Sequence, residues 1–216
     1  MSVLKLEDIC YSYDKGTTIL NNISYEFKEG NIYAIVGKSG AGKTTLLSLL
    51  SGLAIPTSGN ILFEGKDIST MDKYEYRSKN VGVIFQSFNL LQKLTAVENV
   101  MLSMDIAGKK IANKKAYALE LLKKVGLNED EANRRVLKLS GGQQQRVAIA
   151  RSLSYEPHII LADEPTGNLD GETENEIMNI FSKLAKEEKK CIIIVTHSPA
   201  VAKKADMVYE LKKNKK

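Results

Sequence analysis

Apolar positions along this chain follow two rhythms, and the change between them divides it. Residues 3–13 and 19–27 read as strands joined by a turn at Asp14-Lys15-Gly16. In the second strand Ile23, Tyr25 and Phe27 alternate with polar neighbours, the period of a half-buried strand. After Glu29-Gly30, residues 31–36 form an apolar strand that runs into a glycine-rich segment. Residues 43–51 then predict a helix whose Leu46, Leu47, Leu49 and Leu50 make a buried face. Turn residues at Pro56-Thr57-Ser58-Gly59 and Glu64-Gly65-Lys66-Asp67 bracket a short strand at 61–63, and 81–85 is a further buried strand. From about residue 95 to 154 the rhythm is helical. Thr95-Ala96-Val97-Glu98 fits a capping box, and Gly126 stands where a helix C-terminus places a left-handed glycine. Compact apolar strands return at 159–162 and 191–195, separated by a long helix over about 172–188. This order predicts an α/β fold. A parallel-sheet nucleotide core, about 1–86 and 158–216, flanks a helical insertion at about 87–157.

Composition narrows the class without changing that outline. The 216 residues are 43% hydrophobic and 26% charged, the balance of an ordinary globular domain. The longest apolar runs, such as Ile192-Ile193-Ile194-Val195, are strand-sized and far short of the roughly 18 residues of a membrane span. No basic and apolar leader with a small-residue cleavage site opens the sequence, so a cytoplasmic protein is expected. Cys10 and Cys191 lie in apolar stretches without a ligand cluster and read as small buried hydrophobes. The net charge of +5 comes from scattered lysine pairs and the tail Lys212-Lys213-Asn214-Lys215-Lys216. No basic stripe is interleaved with aromatics, so the lysines read as solvated helix faces and nucleic acid is not an expected partner.

The chemistry sits at the strand ends. Gly37-Lys38-Ser39-Gly40-Ala41-Gly42-Lys43-Thr44 fits the phosphate-loop pattern, and it lies between a predicted strand and a predicted helix as that motif requires. Its glycines let backbone N–H groups turn inward around phosphate oxygens, and the helix N-terminus favours negative charge. Lys43 supplies a point charge for the terminal phosphates, the Thr44 hydroxyl is placed to ligate Mg2+, and Thr45 follows at the helix start. The strand at 159–162 ends in Asp163-Glu164, which puts two carboxylates at the carboxyl edge of the sheet, where ligands of open α/β folds bind. Asp163 is suited to hold magnesium through water, and Glu164 to polarise an attacking water. Gln86 follows its strand directly and can reach the magnesium or the water. His197 closes the last apolar strand at the same edge and can contact the terminal phosphate. His158 precedes its strand, belongs at the far end, and reads as structural.

About a hundred residues beyond the phosphate loop stands Leu139-Ser140-Gly141-Gly142-Gln143. With the loop, Gln86, Asp163-Glu164, Asn168-Leu169-Asp170 and His197, it makes the chain resemble the ATP-binding cassette (ABC) family from about residue 3 to 212. The resemblance implies a phosphate-loop NTPase core with a mostly parallel sheet, an antiparallel β subdomain and an inserted α-helical subdomain. It implies ATP and Mg2+ as cofactors, and a nucleotide sandwiched between two cassettes facing head to tail. The phosphate loop of one then meets Ser140, Gly141, Gly142 and Gln143 of the other. Tyr13 matches the aromatic that stacks on adenine, with Tyr11 as its competitor. Asp170 is implied to contact the opposite subunit, and it also reads as the N-cap of the helix it precedes.

Within the family, Gln86-Ser87-Phe88-Asn89-Leu90-Leu91 and the run from Ala162 to Asp170 are similar to a subgroup serving lipoprotein release, macrolide and peptide export, and cell division. That similarity implies an integral membrane permease as partner, with the cassettes peripheral at the inner face of the membrane. Phe88, Leu90 and Leu91 are candidates for a groove that receives a permease helix, and nearly as well for core packing. Two other readings stand beside transport. One is a soluble cassette ATPase acting on ribosomes or DNA, whose relatives carry two cassettes or a long coiled coil. The other is a regulator that gates a partner with little turnover.

Overall fold

The computed structural model describes residues 2–13 and 17–212. The predicted turn at Asp14-Lys15-Gly16 and the tail residues 213–216 lie outside the described residues.

Strands β1 (Ser2–Ser12), β2 (Thr18–Lys28), β4 (Ser58–Phe63) and β5 (Lys66–Asp67) form an antiparallel sheet in the order β2-β1-β4-β5. A second sheet is parallel throughout. It contains β3 (Ile32–Val36), β6 (Val81–Ile84), β7 (Ile159–Asp163), β8 (Cys191–Val195) and β9 (Met207–Glu210), in the order β6-β7-β8-β3-β9. Helix α1 (Lys43–Leu50) and the short turn α2 (Lys73–Glu75) belong to the first third of the chain. A helical layer follows: α3 (Ala96–Ile106), α4 (Lys114–Lys124), α5 (Glu129–Ala132) and α6 (Gly141–Leu153). Helices α7 (Gly171–Lys186) and α8 (Pro199–Lys204) lead into β8 and β9.

The continuous apolar runs of the central strands are explained by burial on both faces, since a parallel sheet is covered on each side. Along β7, Ile159 and Leu161 join a core shared with α1 and the antiparallel sheet. Ile160 and Ala162 point the other way, into a core shared with α3, α4, α6 and α7. Each fully buried Ile contributes about 1.5–3 kcal/mol relative to exposure. The molecule is therefore three layers, with the parallel sheet as the middle one.

Local signals are realised at their predicted places. Thr95 and Glu98 make both bonds of a capping box at α3, and Gly126 follows α4 with φ 86°. Three departures stand out. β9 has no counterpart among the predicted strands: its apolar run Met207-Val208-Tyr209 is short, and Met207 and Val208 are exposed at the sheet edge. Cys10 is half-buried and accepts a hydrogen bond from the Asn22 N–H at 3.3 Å, whereas Cys191 is fully buried and burial pushes its thiol up. Several of the paired lysines are tied down, Lys109 to Glu156 at 2.5 Å, Lys124 to Glu188 at 3.0 Å and Lys114 to Asp105.

Candidate active site

Because β6, β7, β8 and β3 are parallel neighbours, their carboxyl ends lie side by side. Gln86 follows β6, Asp163 and Glu164 end β7, His197 follows β8, and the phosphate loop follows β3. Residues far apart in sequence thus share one edge. A cavity of about 870 Å³ opens there, lined by Ser39, Gly40, Gly42, Lys43, Thr44 and Thr45 of the loop and α1 start. Gln86, Asp163, Glu164 and His197 from the neighbouring strand ends also line it, as do Tyr13 and Ile19.

The loop reaches this shape for identifiable reasons. Gly42 caps α1 at φ 94°, and a Cβ there would lie 2.8 Å from Ile19 Cγ2. A side chain at Gly37 would strike the Leu211 carbonyl oxygen at 2.5 Å, just where β9 ends against the loop. Gly37, Lys38 and Ala41 do not line the cavity. Instead the Gly37 and Lys38 carbonyls accept from Lys43 Nζ at 2.8 and 3.4 Å, and Ala41 is buried. The third neighbour of that ammonium is His197 Nε2 at 3.0 Å. An ammonium can only donate, so His197 accepts on Nε2 in this arrangement.

The carboxylates differ. Asp163 is the last residue of β7, and its Oδ2 accepts from the Thr44 hydroxyl at 3.3 Å. Burial pushes its carboxyl above the usual range, against the opposing pull of the Thr44 bond, Lys43 and His197. Glu164 leaves the strand with φ 46°, a conformation that costs a non-glycine residue on the order of 1–3 kcal/mol. This turn brings it into the same cavity as Asp163, although successive strand residues otherwise face opposite ways. Glu164 Oε2 accepts from the His197 backbone N–H at 3.1 Å. Its Oε1 is buried and 3.4 Å from His197 Nε2, a proximity without hydrogen-bond alignment that leaves this oxygen unbonded.

Tyr13, 69% exposed, stands over the loop with its hydroxyl 3.0 Å from that of Thr45. Tyr11 packs edge-on behind it at a ring separation of 5.1 Å and does not line the cavity. His158 lies at the opposite end of β7, near Glu29 at 3.4 Å and against the Phe63 ring.

Ser140, Gly141, Gly142 and Gln143 are not part of this cavity. They form the N-terminus of α6, where Ser140 Oγ accepts from the Gln143 N–H at 3.3 Å and Gln143 Oε1 accepts from the Ser140 N–H at 2.9 Å. The remaining Gln143 amide group donates to Glu131 at 2.8 Å. Gly142 packs on α7 so closely that a Cβ would be 2.5 Å from Thr173 Cγ2. Asp170 caps α7, accepting from the Thr173 N–H at 2.9 Å and hydroxyl at 2.8 Å, and these bonds hold its carboxyl below the usual range.

Ile19, Thr166, Gly167, Leu169, Glu174 and Ser198 also line the cavity and fall outside the predicted set, and two of them show why. Ile19 is one, an apolar wall residue with no distinguishing spacing. Gly167 is the other: a Cβ there would be 3.3 Å from Gln86 Nε2, so this glycine sets how closely the amide approaches the Asp163-Glu164 turn.

A phosphate loop between β3 and α1, with acidic and amide groups at adjoining strand ends, defines a nucleoside-triphosphate-hydrolysing domain. The model of the ABC transporter family matches residues 20–167. The ABC transporter ATP-binding protein YclH of Bacillus subtilis is 47% identical over 208 residues, covering 96% of this chain and 92% of that protein. A Thermotoga maritima ABC transporter ATP-binding protein is 47% identical over 91% of this chain and 86% of its own length. Among solved structures, the dimeric ABC transporter cassette MJ0796 superposes with a TM-score of 0.87 at 38% identity, covering 97% of this chain and 94% of that one. The same cassette as a post-hydrolysis dimer bound to ADP and Pi gives 0.87 at 37% identity, covering 98% and 97%. The chain belongs to the ABC transporter family. It is an ATP-binding subunit of that family and an ATPase.

Proposed function

We propose that this chain hydrolyses ATP as half of a head-to-tail pair of identical cassettes and delivers the resulting motion to a membrane permease. The observation that carries the hydrolytic half is Glu164, with one oxygen pinned by the His197 N–H and the other buried and unbonded, in a residue that lines the cavity beside Lys43. Once a side-chain rotation turns it into the cavity, such an oxygen can accept a proton from, and so orient, a water attacking a terminal phosphate. Lys43 balances the charge of that phosphate once it exchanges its carbonyl partners for phosphate oxygens, and His197 shares the task. Tyr13 stacks on the base.

The donor set also fits magnesium. The Thr44 hydroxyl and the half-buried Asp163 carboxylate converge at 3.3 Å, hard oxygen ligands of the kind this ion takes with water and phosphate. Gln86 would complete that set. Bound there, the ion supplies charge neutralisation across the phosphates.

The second cassette is called for by the separation of the two anion sites. Ser140 and the first N–H groups of α6 form a helix N-terminus outside the cavity, and α7 capped by Asp170 sits against it at Gly142. Dimeric MJ0796 and cbiO1 of Clostridium perfringens, described as part of the ABC transporter complex cbiONQ, support an assembly of this kind. The latter superposes at a TM-score of 0.89 with 31% identity, covering 99% of this chain and 87% of that one. Among the described residues no helix is long and apolar enough to cross a membrane. The permease in this reading is a separate chain, and the cassette sits against its cytoplasmic face. The helical layer at 87–157 is the lobe that meets it. The motifs 86–91 and 162–170 favour export or extraction of a peptide, lipoprotein or drug, or mechanical transmission. Glu164→Gln is the test: turnover falls at least about a hundredfold while ATP binding persists and an ATP-bound dimer accumulates on gel filtration. Hydrolysis at the wild-type rate removes Glu164 from the mechanism.

A further inference from the structure

Between Gln86 and α3 the backbone takes an unusual course. Phe88 and Asn89 are consecutive non-glycine residues in the left-handed region, at φ 58° and 50°. One such residue is uncommon, and two in a row persist only where the surroundings hold them. Two side chains of the helical layer do so. Arg151, in the last turn of α6, donates to the Phe88 carbonyl at 2.9 Å and to the Asn89 carbonyl. Asn99 of α3, only 3% exposed, accepts from the Leu91 N–H at 2.8 Å and donates to the Leu91 carbonyl at 3.2 Å.

Arg151 stands out further because it makes no ion pair among the described residues. Its half-buried guanidinium is answered by backbone carbonyls alone, and burial works against its charge. A fork of N–H donors in fixed geometry can bind two successive carbonyls at once, which a lysine cannot reproduce. Arg151 lies on the same rigid helix as Ser140, about three turns from its N-terminal end. At the other end of the strapped loop, Gln86 lies against Gly167 in the cavity.

We propose that Arg151 is a positioning residue that locks the 87–91 loop to α6, so that displacement of α6 moves Gln86 relative to Asp163 and Glu164. This rests on the reading of Gln86 as part of the active site. The strap makes the loop a member of the helical layer, joined to β6 through Phe85 and Gln86. When a partner cassette engages Ser140, α6 carries the loop with it.

The test uses the full chain with Arg151→Met and the milder Arg151→Lys, each alone and with Gln86→Ala. Amide exchange in 86–91 is expected to rise at least about tenfold in both Arg151 variants while the strands of the parallel sheet stay protected. Steady-state hydrolysis is expected to lose roughly tenfold in kcat for Arg151→Met, with KM for ATP within about threefold and Arg151→Lys recovering part of the rate. In the Gln86→Ala background Arg151→Met is expected to cost less than about twofold more, because the group it positions is already gone. Unchanged exchange in 86–91 overturns the strap. An equal fall in kcat in both backgrounds overturns its action through Gln86. Should Gln86→Ala alone leave kcat unaltered, Gln86 leaves the proposed mechanism, and the exchange of 86–91 still decides whether Arg151 holds the loop.

Discussion

Two helix N-termini in this molecule carry the motifs that matter, and they are built in opposite ways. Helix α1 begins at a glycine in the left-handed region, with no side-chain cap and no acidic residue in its first turn. Helix α6 begins at Ser140 with a complete capping box, and the box is anchored in turn to Glu131. Both present N–H groups to an anion, since the first turn of any helix leaves donors over. At α1 those donors have no competing side chain, and the loop is clasped by Leu211 beyond β9, by Ile19 and by the end of β3. At α6 one donor is already answered by Ser140, and the end lies outside the cavity. In the proposed head-to-tail pair, the difference separates a site that can bind phosphate within one chain from a surface that would complete a site on another.

The largest effect that would break this comparison comes from altering each end in turn and measuring binding. Lys43→Ala removes the one ammonium that lines the cavity among the described residues, and nucleotide affinity of the isolated chain is expected to fall at least about a hundredfold by calorimetry. Ser140→Arg is expected to leave that affinity within about threefold while abolishing the rise of specific activity with protein concentration. If Ser140→Arg weakens monomer binding as much as Lys43→Ala, the two ends belong to one site and the contrast collapses.

A middle-sized effect separates the two glycines that open α6, Gly141 and Gly142. A Cβ at Gly142 would stand 2.5 Å from Thr173 Cγ2, whereas at Gly141 the nearest atom is Leu169 Cδ2 at 3.6 Å, an ordinary contact. Gly142→Ala is therefore expected to lower stability by about 1–3 kcal/mol, the usual result of overpacking, and Gly141→Ala by less than about 1 kcal/mol. Thr173→Ser removes the offending methyl and keeps the hydroxyl that donates to Asp170 at 2.8 Å, so it should restore most of the loss at Gly142 in urea unfolding. Failure of that rescue would mean that Gly142 is required for its backbone and not for packing against α7.

Much of this arrangement is legible in the amino-acid sequence, and the parts that are not share a cause. The phosphate loop, Gln86, Asp163-Glu164 and His197 can be placed because each ends an apolar run, and parallel strands deliver their ends to one edge. The capping box at Ser140 is also present as S-x-x-Q, yet the same residues read first as an anion site. Nothing in the local sequence announces the left-handed turns at Glu164 and Phe88, because neither is glycine, whereas Asn89 is of a type that visits this region readily. Arg151 leaves one signal, a single charge inside the apolar run from Val147 to Leu153. β9 leaves only the three-residue apolar run Met207-Val208-Tyr209, too short to be distinguished from a loop by periodicity. Tyr13 and Tyr11 can be told apart only by which ring reaches the cavity.

The smallest effect tests the cap itself. Ser140 Oγ accepts one N–H at 3.3 Å, a long bond at an exposed helix end. Losing it to alanine costs a helix about 1 kcal/mol as a rule, and losing it to glycine only a few tenths. Ser140→Ala is expected near the lower part of that range, because Gln143 remains tied to Glu131 and to the Ser140 N–H whichever side chain stands at 140. Hydrolysis in the paired state should fall more steeply than stability does, since the proposed pairing also offers this hydroxyl to the partner's nucleotide. Thermal melting and concentration-dependent turnover on the same samples separate the two. A turnover that falls only in proportion to the folded fraction would make Ser140 a cap and nothing more, and the opposite design of the two helix ends would then reflect local stability alone.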